Sequence, residues 1–210
     1  MKKFTIIVCV LILLLILFFC FSKIGYDYSK KKNNEIKTEE KNQEPTLQPI
    51  KDRTYKVQKY TVLDISDVNK LENVKLSMAA INGITLKPGE EFSFNNIVGE
   101  RTAERGYKEA TVIYINGKGE PYKGLGLGGG ICQTSSTLYM ACREVNLEIL
   151  ERHTHSMEVD YCSVDEEAMI NWGTSDLRFK NNLAEDIIIK MYLSPVENNT
   201  SQLKVVCEIW

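Results

Sequence analysis

The stretch from Phe4 to Phe21 carries no charged residue and follows Met1-Lys2-Lys3. A run of that length is about what one helix needs to cross the hydrocarbon core of a bilayer, and the two preceding lysines favour a cytoplasmic N-terminus. A cleaved leader has a shorter apolar core with small residues at its cut site. This run instead ends Leu17-Phe18-Phe19-Cys20-Phe21, and its phenylalanines also stand where a lipoprotein box needs small residues. The expectation is an uncleaved transmembrane signal-anchor over residues 1–22, with Cys9 and Cys20 as membrane residues. The rest of the chain would then lie on the extracytoplasmic side of the cell membrane as part of a single-pass protein.

Residues 23–52 mix charges, amides and two prolines, as in "KKKNNEIKTEEKNQEPTLQPIKD", and hold few large apolar residues after Tyr28. Such a segment cannot bury enough surface to offset its ordering entropy and reads as a flexible linker. Residues 53–210 have the length of one domain. The whole chain of 210 residues has a formal net charge of −2, without a basic stripe or a nucleic-acid motif, which argues against a polyanion partner.

Within the domain, Val68, Leu71, Val74, Met78 and Ile81 recur at helical spacing, with Ser66 or Asp67 as N-cap and Gly83 closing. Lys87-Pro88-Gly89-Glu90 reads as a turn before a short strand around Phe92. Thr111 to Ile115 reads as a strand, and Asn116-Gly117 is a hairpin turn. A second helix is expected from Gln133 to about Asn146, with Leu138, Ala141, Cys142 and Val145 on one side. The remainder reads as strands at Leu147–His155, Met157–Cys162, Ala168–Trp172, Leu177–Lys180, Asp186–Leu193 and Gln202–Ile209. About two helices among many strands make an α+β domain with a mainly antiparallel sheet.

Four of the six cysteines lie outside the apolar run: Cys132, Cys142, Cys162 and Cys207. A Cys142–Cys162 disulfide is conceivable, but the spacings form no recognisable framework, and no C-x-x-C pair suggests zinc. Cys207 alternates with Leu203, Val205 and Ile209 and reads as a core residue. Cys132 differs. It follows the glycine loop "GLGLGGG" and precedes a helix, and N–H groups at a helix N-terminus favour a thiolate. Glycines at 128, 129 and 130 can aim backbone N–H groups at a developing oxyanion. The loop lacks the lysine and hydroxyl of a nucleotide-binding loop. Taken alone, these residues fit a nucleophile and a packed core thiol equally.

The chain has two histidines, His153 and His155. A helix from Gln133 to Asn146 climbs about 21 Å at 1.5 Å per residue, and a strand from Leu147 to His153 returns a similar distance at about 3.3 Å per residue. Antiparallel packing would bring both histidines to the level of Cys132.

"LKPGEEFSFNNIVGERTAERGYKEA", "GLGGGICQTSSTLY", "LEILERHTHSMEVDY" and "DLRFKNN" together closely resemble the VanW family of bacterial cell-envelope proteins, from about Asn69 to Asn182. The resemblance implies a Gram-positive source and a peptidoglycan L,D-transpeptidase, which forms 3-3 cross-links between stem peptides through a thioester on a catalytic cysteine. It places the nucleophile at Cys132 and the family's His-Ser pair at His155 and Ser156, making His155 the preferred base ahead of His153. Asp176, which opens "DLRFKNN", would orient the histidine as the third group of a triad does. Gly128, Gly129, Gly130 and the Cys132 N–H would hold the oxyanion, Gln133 would line the pocket, and Arg152 or Arg178 would fork a substrate carboxylate. Tyr139 and Trp172 read as core aromatics. No cofactor is expected; the partners are peptidoglycan stem peptides and, through the N-terminal helix, the membrane. The alternatives are a non-catalytic peptidoglycan-binding or glycopeptide-resistance accessory module, an L,D-carboxypeptidase or cysteine peptidase, and a metal site built from Cys132, His153 and His155.

Overall fold

The computed structural model describes residues 55–210. The expected signal-anchor, the whole of the linker and its junction with the domain lie outside the described residues. Among the described residues no helix is long and apolar enough to cross a membrane. The described residues form an α+β fold with mainly antiparallel sheets and three α-helices, one more than the sequence suggested for this domain.

The largest sheet has four strands: β1 (Val57–Asp64), β9 (Asn199–Ile209), β8 (Ile187–Val196) and β2 (Thr85–Leu86), in that order and antiparallel throughout. Its longest uninterrupted pairing sets Val57 opposite Ile209 and Asp64 opposite Gln202. A three-stranded sheet runs β3 (Glu91–Ser93), β7 (Arg178–Lys180) and β6 (Glu148–Glu151), with Phe92 and Phe179 stacked 4.6 Å apart across its first pair. The third sheet is the hairpin of β4 (Glu109–Ile115) and β5 (Pro121–Leu127), turned at Asn116 to Glu120 as the Asn-Gly pair predicted. Much of "GLGLGGG" is therefore strand: Gly124 and Gly126 belong to β5, and only Gly128 to Gly130 form a turn.

Helix α1 (Val68–Ile81) is capped by the Asp67 carboxylate, which accepts from Lys70 N, and it buries Val74, Met78 and Ile81. Helix α2 (Phe94–Val98) is a single turn capped by Ser93, too short to announce itself by periodicity. Helix α3 (Ile131–Glu144) lies against α1 and against β1 and β9 of the large sheet. The sequence suggested an amphipathic helix with one wet face, but Gln133 to Tyr139 are all buried. Small hydroxyls make this possible, because a buried polar group is tolerated when it is hydrogen-bonded and each of these finds a partner. Thr137 meets Thr61 at 2.7 Å, Thr134 meets Ser77 at 2.8 Å, Ser135 donates to Ala168 O at 2.6 Å, and Ser136 accepts from Ala168 N at 2.9 Å.

That last pair of bonds explains a second departure. Met157–Cys162 and Ala168–Trp172 are not strands, although their residues alternate. Between β6 and β7 the chain makes an irregular excursion with only the isolated bridges His153–Met169 and Asn171–Ser175. The hydroxyls of α3 take the backbone groups of Ala168 that a neighbouring strand would otherwise have taken.

Candidate active site

Cys132 is the second residue of α3, partly exposed, within its first turn. The glycines before it are required by packing. A Cβ on Gly129 would lie 2.6 Å from the Ala110 carbonyl carbon and 2.7 Å from the oxygens of Ala110 and Thr111, so β4 can approach only a glycine there. Gly130 is the N-cap at φ +101°, in the left-handed region that favours glycine. Gly128 and Gly129 donate their N–H groups to Lys108 O and Gly126 O. These two positions, expected to face an oxyanion, are therefore engaged inside the loop. Among the described residues the N–H groups of Gly130 and Cys132 have no backbone partner, as the first amides of a helix generally do not.

His155 returns to Cys132, as the length matching of helix and strand suggested. Its ring lies in hydrogen-bonding reach of the thiol, and Nδ1 is bonded to the Glu167 carboxylate. That leaves Nε2 for Cys132. The His155 and Glu167 side chains are only 7% and 4% exposed. Burial disfavours the imidazolium, but the hydrogen bonds and charges of Cys132 and Glu167 outweigh it, so the His155 pKa is raised above its ordinary 6.5. The thiol itself donates to Ile170 O at 3.6 Å. Tyr161 stands edge-on to the imidazole, with ring centroids 6.5 Å apart. Burial and the neighbouring Cys132 push its phenol far above the usual range, against a lowering hydrogen bond from Ser136, so it stays a neutral donor beside the thiol.

Several expected participants lie elsewhere. Asp176 does not touch either histidine. Its carboxylate accepts from Ser93 Oγ at 2.6 Å and from the N–H groups of Asn95 and Leu177, each at 2.8 Å, tying β7 to the start of α2. The group on the histidine is Glu167. In the sequence it sits beside Asp165 and Glu166 in what reads as a solvated acidic cluster, and no local pattern distinguishes it. His153 turns away to Glu151, 2.9 Å from its Nε2. The three side chains of the alternative metal site therefore do not converge, and among the described residues no group of His, Cys, Asp or Glu is disposed to hold a metal.

Arg152 braces the excursion: its Nε donates to Glu167 O at 2.7 Å, Nη2 to Val164 O, and its guanidinium covers the Tyr139 ring. Arg178 forms a surface pair with Glu91 at 2.9 Å. Gln133 is buried with Nε2 on Val62 O at 2.8 Å, directed at β1 rather than at a pocket. A cation that the charge of Cys132 reaches is Arg101, which sequence reading passed over because "GERTAERGY" looks like solvated charge. Burial lowers its pKa while the charges of Tyr107, Cys132 and Asp176 support the cation. Tyr139 is in the core as expected, but Trp172 is 44% exposed and flanks Arg101. The four described cysteines are free, with Cys142 and Cys207 buried.

Residues 69–206 match the family described as "VanW like protein", which covers more than half of the chain. The chain belongs to the VanW family. A VanW relative in Bacillus subtilis (strain 168), named "Uncharacterized protein YoaR", is 40% identical over 130 residues, 62% of this chain and 41% of that protein. The "Vancomycin B-type resistance protein VanW" of Enterococcus faecalis (strain ATCC 700802 / V583) is 34% identical over 119 residues, 54% of this chain and 42% of that protein. The matched VanW region thus spans less than half the length of either relative. No solved structure matches the chain.

Proposed function

We propose that this VanW protein is a cysteine acyltransferase of the cell wall, an L,D-transpeptidase that cross-links peptidoglycan stem peptides. A cell-wall role is supported by family membership and by the vancomycin-resistance name of one relative. The observation that carries the chemistry is His155 standing between Cys132 and the buried carboxylate of Glu167, the nucleophile, base and orienting group that acyl transfer needs.

In the first half-reaction His155 Nε2 takes the thiol proton, and the resulting imidazolium is held by Glu167. Cys132 Sγ bonds to the carbonyl carbon between the L-centre of a diamino acid and the following D-alanine. The oxyanion is met by the N–H groups of Cys132 and Gly130. Collapse breaks the C–N bond, His155 returns its proton to the departing amine, and D-alanine leaves behind a thioester. In the second half an acceptor amine gives a proton to His155 as its nitrogen bonds to the carbonyl carbon. The C–S bond breaks, and the thiol is restored by that proton. Water in the acceptor's place gives carboxypeptidase activity. Residues 1–22 would anchor the protein in the cell membrane with this domain on the wall side.

The test incubates the purified full-length chain with disaccharide-tetrapeptides and reads the products by mass spectrometry. Dimers lacking one D-alanine are expected, together with their loss in Cys132→Ala. Tripeptide alone would make the protein a carboxypeptidase, and no reaction would favour the binding module. Dimers still formed by folded Cys132→Ala would refute the assignment of the nucleophile.

A further inference from the structure

We propose that the β4–β5 hairpin carries a saccharide subsite, in which the rings of Tyr114 and Tyr122 stack against the sugar of the glycan strand whose stem peptide meets Cys132. The proposal deepens, and rests on, the peptidoglycan reading of the thiol site.

The run Gly124-Leu125-Gly126-Leu127 ends β5 with side chains on one face only. Glycine inside a strand weakens it, and a two-stranded hairpin is already marginal. Tyr114, on the opposite strand, uses the space. Its Oη donates to Leu125 O at 3.1 Å, so the ring reaches across β5 rather than standing off the sheet as strand side chains commonly do. A Cβ on Gly126 would lie 2.5 Å from Tyr114 Oη, and one on Gly124 would lie 3.1 Å from Cδ2 and Cε2. Both glycines are the room that this ring needs. Tyr122 stands opposite Tyr114 in the register, with the rings 5.6 Å apart and inclined by 31°. The two tyrosines stay 41% and 48% exposed.

The chemistry of that face selects its occupant. Alternation places Ala110, Val112, Tyr114, Tyr122, Gly124 and Gly126 on it, and none of them is charged. The charged residues of the two strands, Glu109 and Lys123, fall on the opposite face. An anionic lipid or polymer finds no cation among these residues. A pyranose ring instead presents a flat face of C–H bonds, which suits the electron-rich face of a phenol ring.

One side chain ties this platform to the thiol. Asn73 of α1 is fully buried. Its Nδ2 donates to Lys108 O at the root of β4 and to Gly129 O in the turn before Cys132, each at 2.9 Å, and its Oδ1 accepts from Lys108 N at 2.8 Å. Asn69, one turn earlier on α1, donates to Glu109 O at 2.9 Å. The hairpin root and the turn are thus held together, and β5 runs directly into that turn. The chain from Gly126 to Cys132 spans at most about 21 Å, and the bond from Gly129 N–H to Gly126 O folds it shorter. In a stem tetrapeptide the attacked carbonyl belongs to the third residue, roughly 10 Å from the sugar when extended. The sugar ring follows directly, so one disaccharide-peptide reaches both places.

The test titrates the full chain carrying Cys132→Ala, which cannot turn over, by calorimetry. The probes are the bare stem tetrapeptide and the disaccharide-tetrapeptide. The sugar-bearing probe is expected to bind on the order of tenfold tighter, as two ring contacts of this kind would give. Tyr122→Ala in the same background should close most of that gap and leave the affinity for the bare peptide unchanged. Leu125→Ser, on the other face of the hairpin, should leave the gap intact. Equal binding of the two probes overturns the proposal. So does a gap that persists in folded Tyr122→Ala, or one lost equally in Leu125→Ser; the tyrosines would then serve only the packing of the hairpin. Should Tyr122→Ala not melt cooperatively, Tyr122→Leu keeps the apolar bulk without the ring and decides in its place. A sugar preference erased by the Tyr122 substitution, with no acyl-enzyme on the unsubstituted chain, would sink the acyl-transfer reading and leave the subsite standing. Acyl-enzyme formed from both probes, with equal binding, would do the reverse.

Discussion

Glu167→Gln removes one charge and little else, and it tests the arrangement around His155 without touching Cys132. Both side chains are almost fully buried, so solvent does little to soften the change. Two unit charges about 4 Å apart at an effective dielectric of about 20 interact by about 4 kcal/mol, which bounds what the carboxylate gives the imidazolium. Glutamine still accepts a neutral hydrogen bond from Nδ1, roughly half as strong as the charge-assisted one. A loss of about 2 to 3 kcal/mol follows, a slowing of acylation of roughly 30- to 140-fold at about 1.4 kcal/mol per decade. Intact-mass measurement of thioester formation in a single turnover reads this directly. The variant also carries a pH signature. His155 binds its proton more tightly folded than unfolded. Its contribution to stability is therefore fully present below the unfolded value of about 6.5 and is lost as pH rises through the raised folded value. Without the carboxylate, burial opposes the imidazolium with less to offset it. The fall in urea midpoint from pH 6 to pH 9 should then be smaller in Glu167→Gln than in the parent. Acylation at the parental rate, together with identical pH profiles of stability, would refute the role given to Glu167.

Three further substitutions separate packing from chemistry. Gly129→Ala drives a Cβ into the backbone of β4 and should destabilise by about 2 kcal/mol or more in urea titration, whereas Gly117→Ala, with nothing within 4 Å, should be near neutral. His153→Gln should change the acylation rate less than about threefold, because its ring bonds Glu151 and is 37% exposed; a loss as deep as that of His155→Gln, expected at roughly 100-fold or more, would make His153 the base.

The hairpin, α1, α3 and the β8–β9 pair were legible because each carries a local signal: an Asn-Gly turn, a capped periodic stripe, or an alternating run. β1 escaped because it has apolar residues on both faces, with Leu63 buried and Tyr60 and Val62 exposed, so its period is blurred. The thiol and its histidine were legible because one sits at a helix start and the other one strand length away. Glu167 and Arg101 were not. Each is a charged residue among other charged residues, and only the tertiary fold decides which carboxylate meets an imidazole and which guanidinium the charge of Cys132 reaches. The strands expected at Met157–Cys162 and Ala168–Trp172 show the opposite error. Their alternation is real, but hydroxyls on a helix took the backbone groups of Ala168, and sequence periodicity cannot see that competitor.

The bonds from Ser135 and Ser136 to Ala168 have one more consequence. Cys132 is carried by α3, whose setting about its own axis is fixed by hydroxyl contacts to Thr61 and Ser77. His155 and Glu167 are carried by the irregular excursion, which has no ladder of its own. Ala168 follows Glu167 directly and is gripped on both its N–H and its carbonyl by the helix that bears the thiol. Cys132 and His155 thus belong to two separately supported parts that are pinned together at this residue. A slip of one position there would withdraw the carboxylate from the imidazole while leaving the three sheets and three helices of the described residues intact, so the domain could keep its fold and lose its alignment.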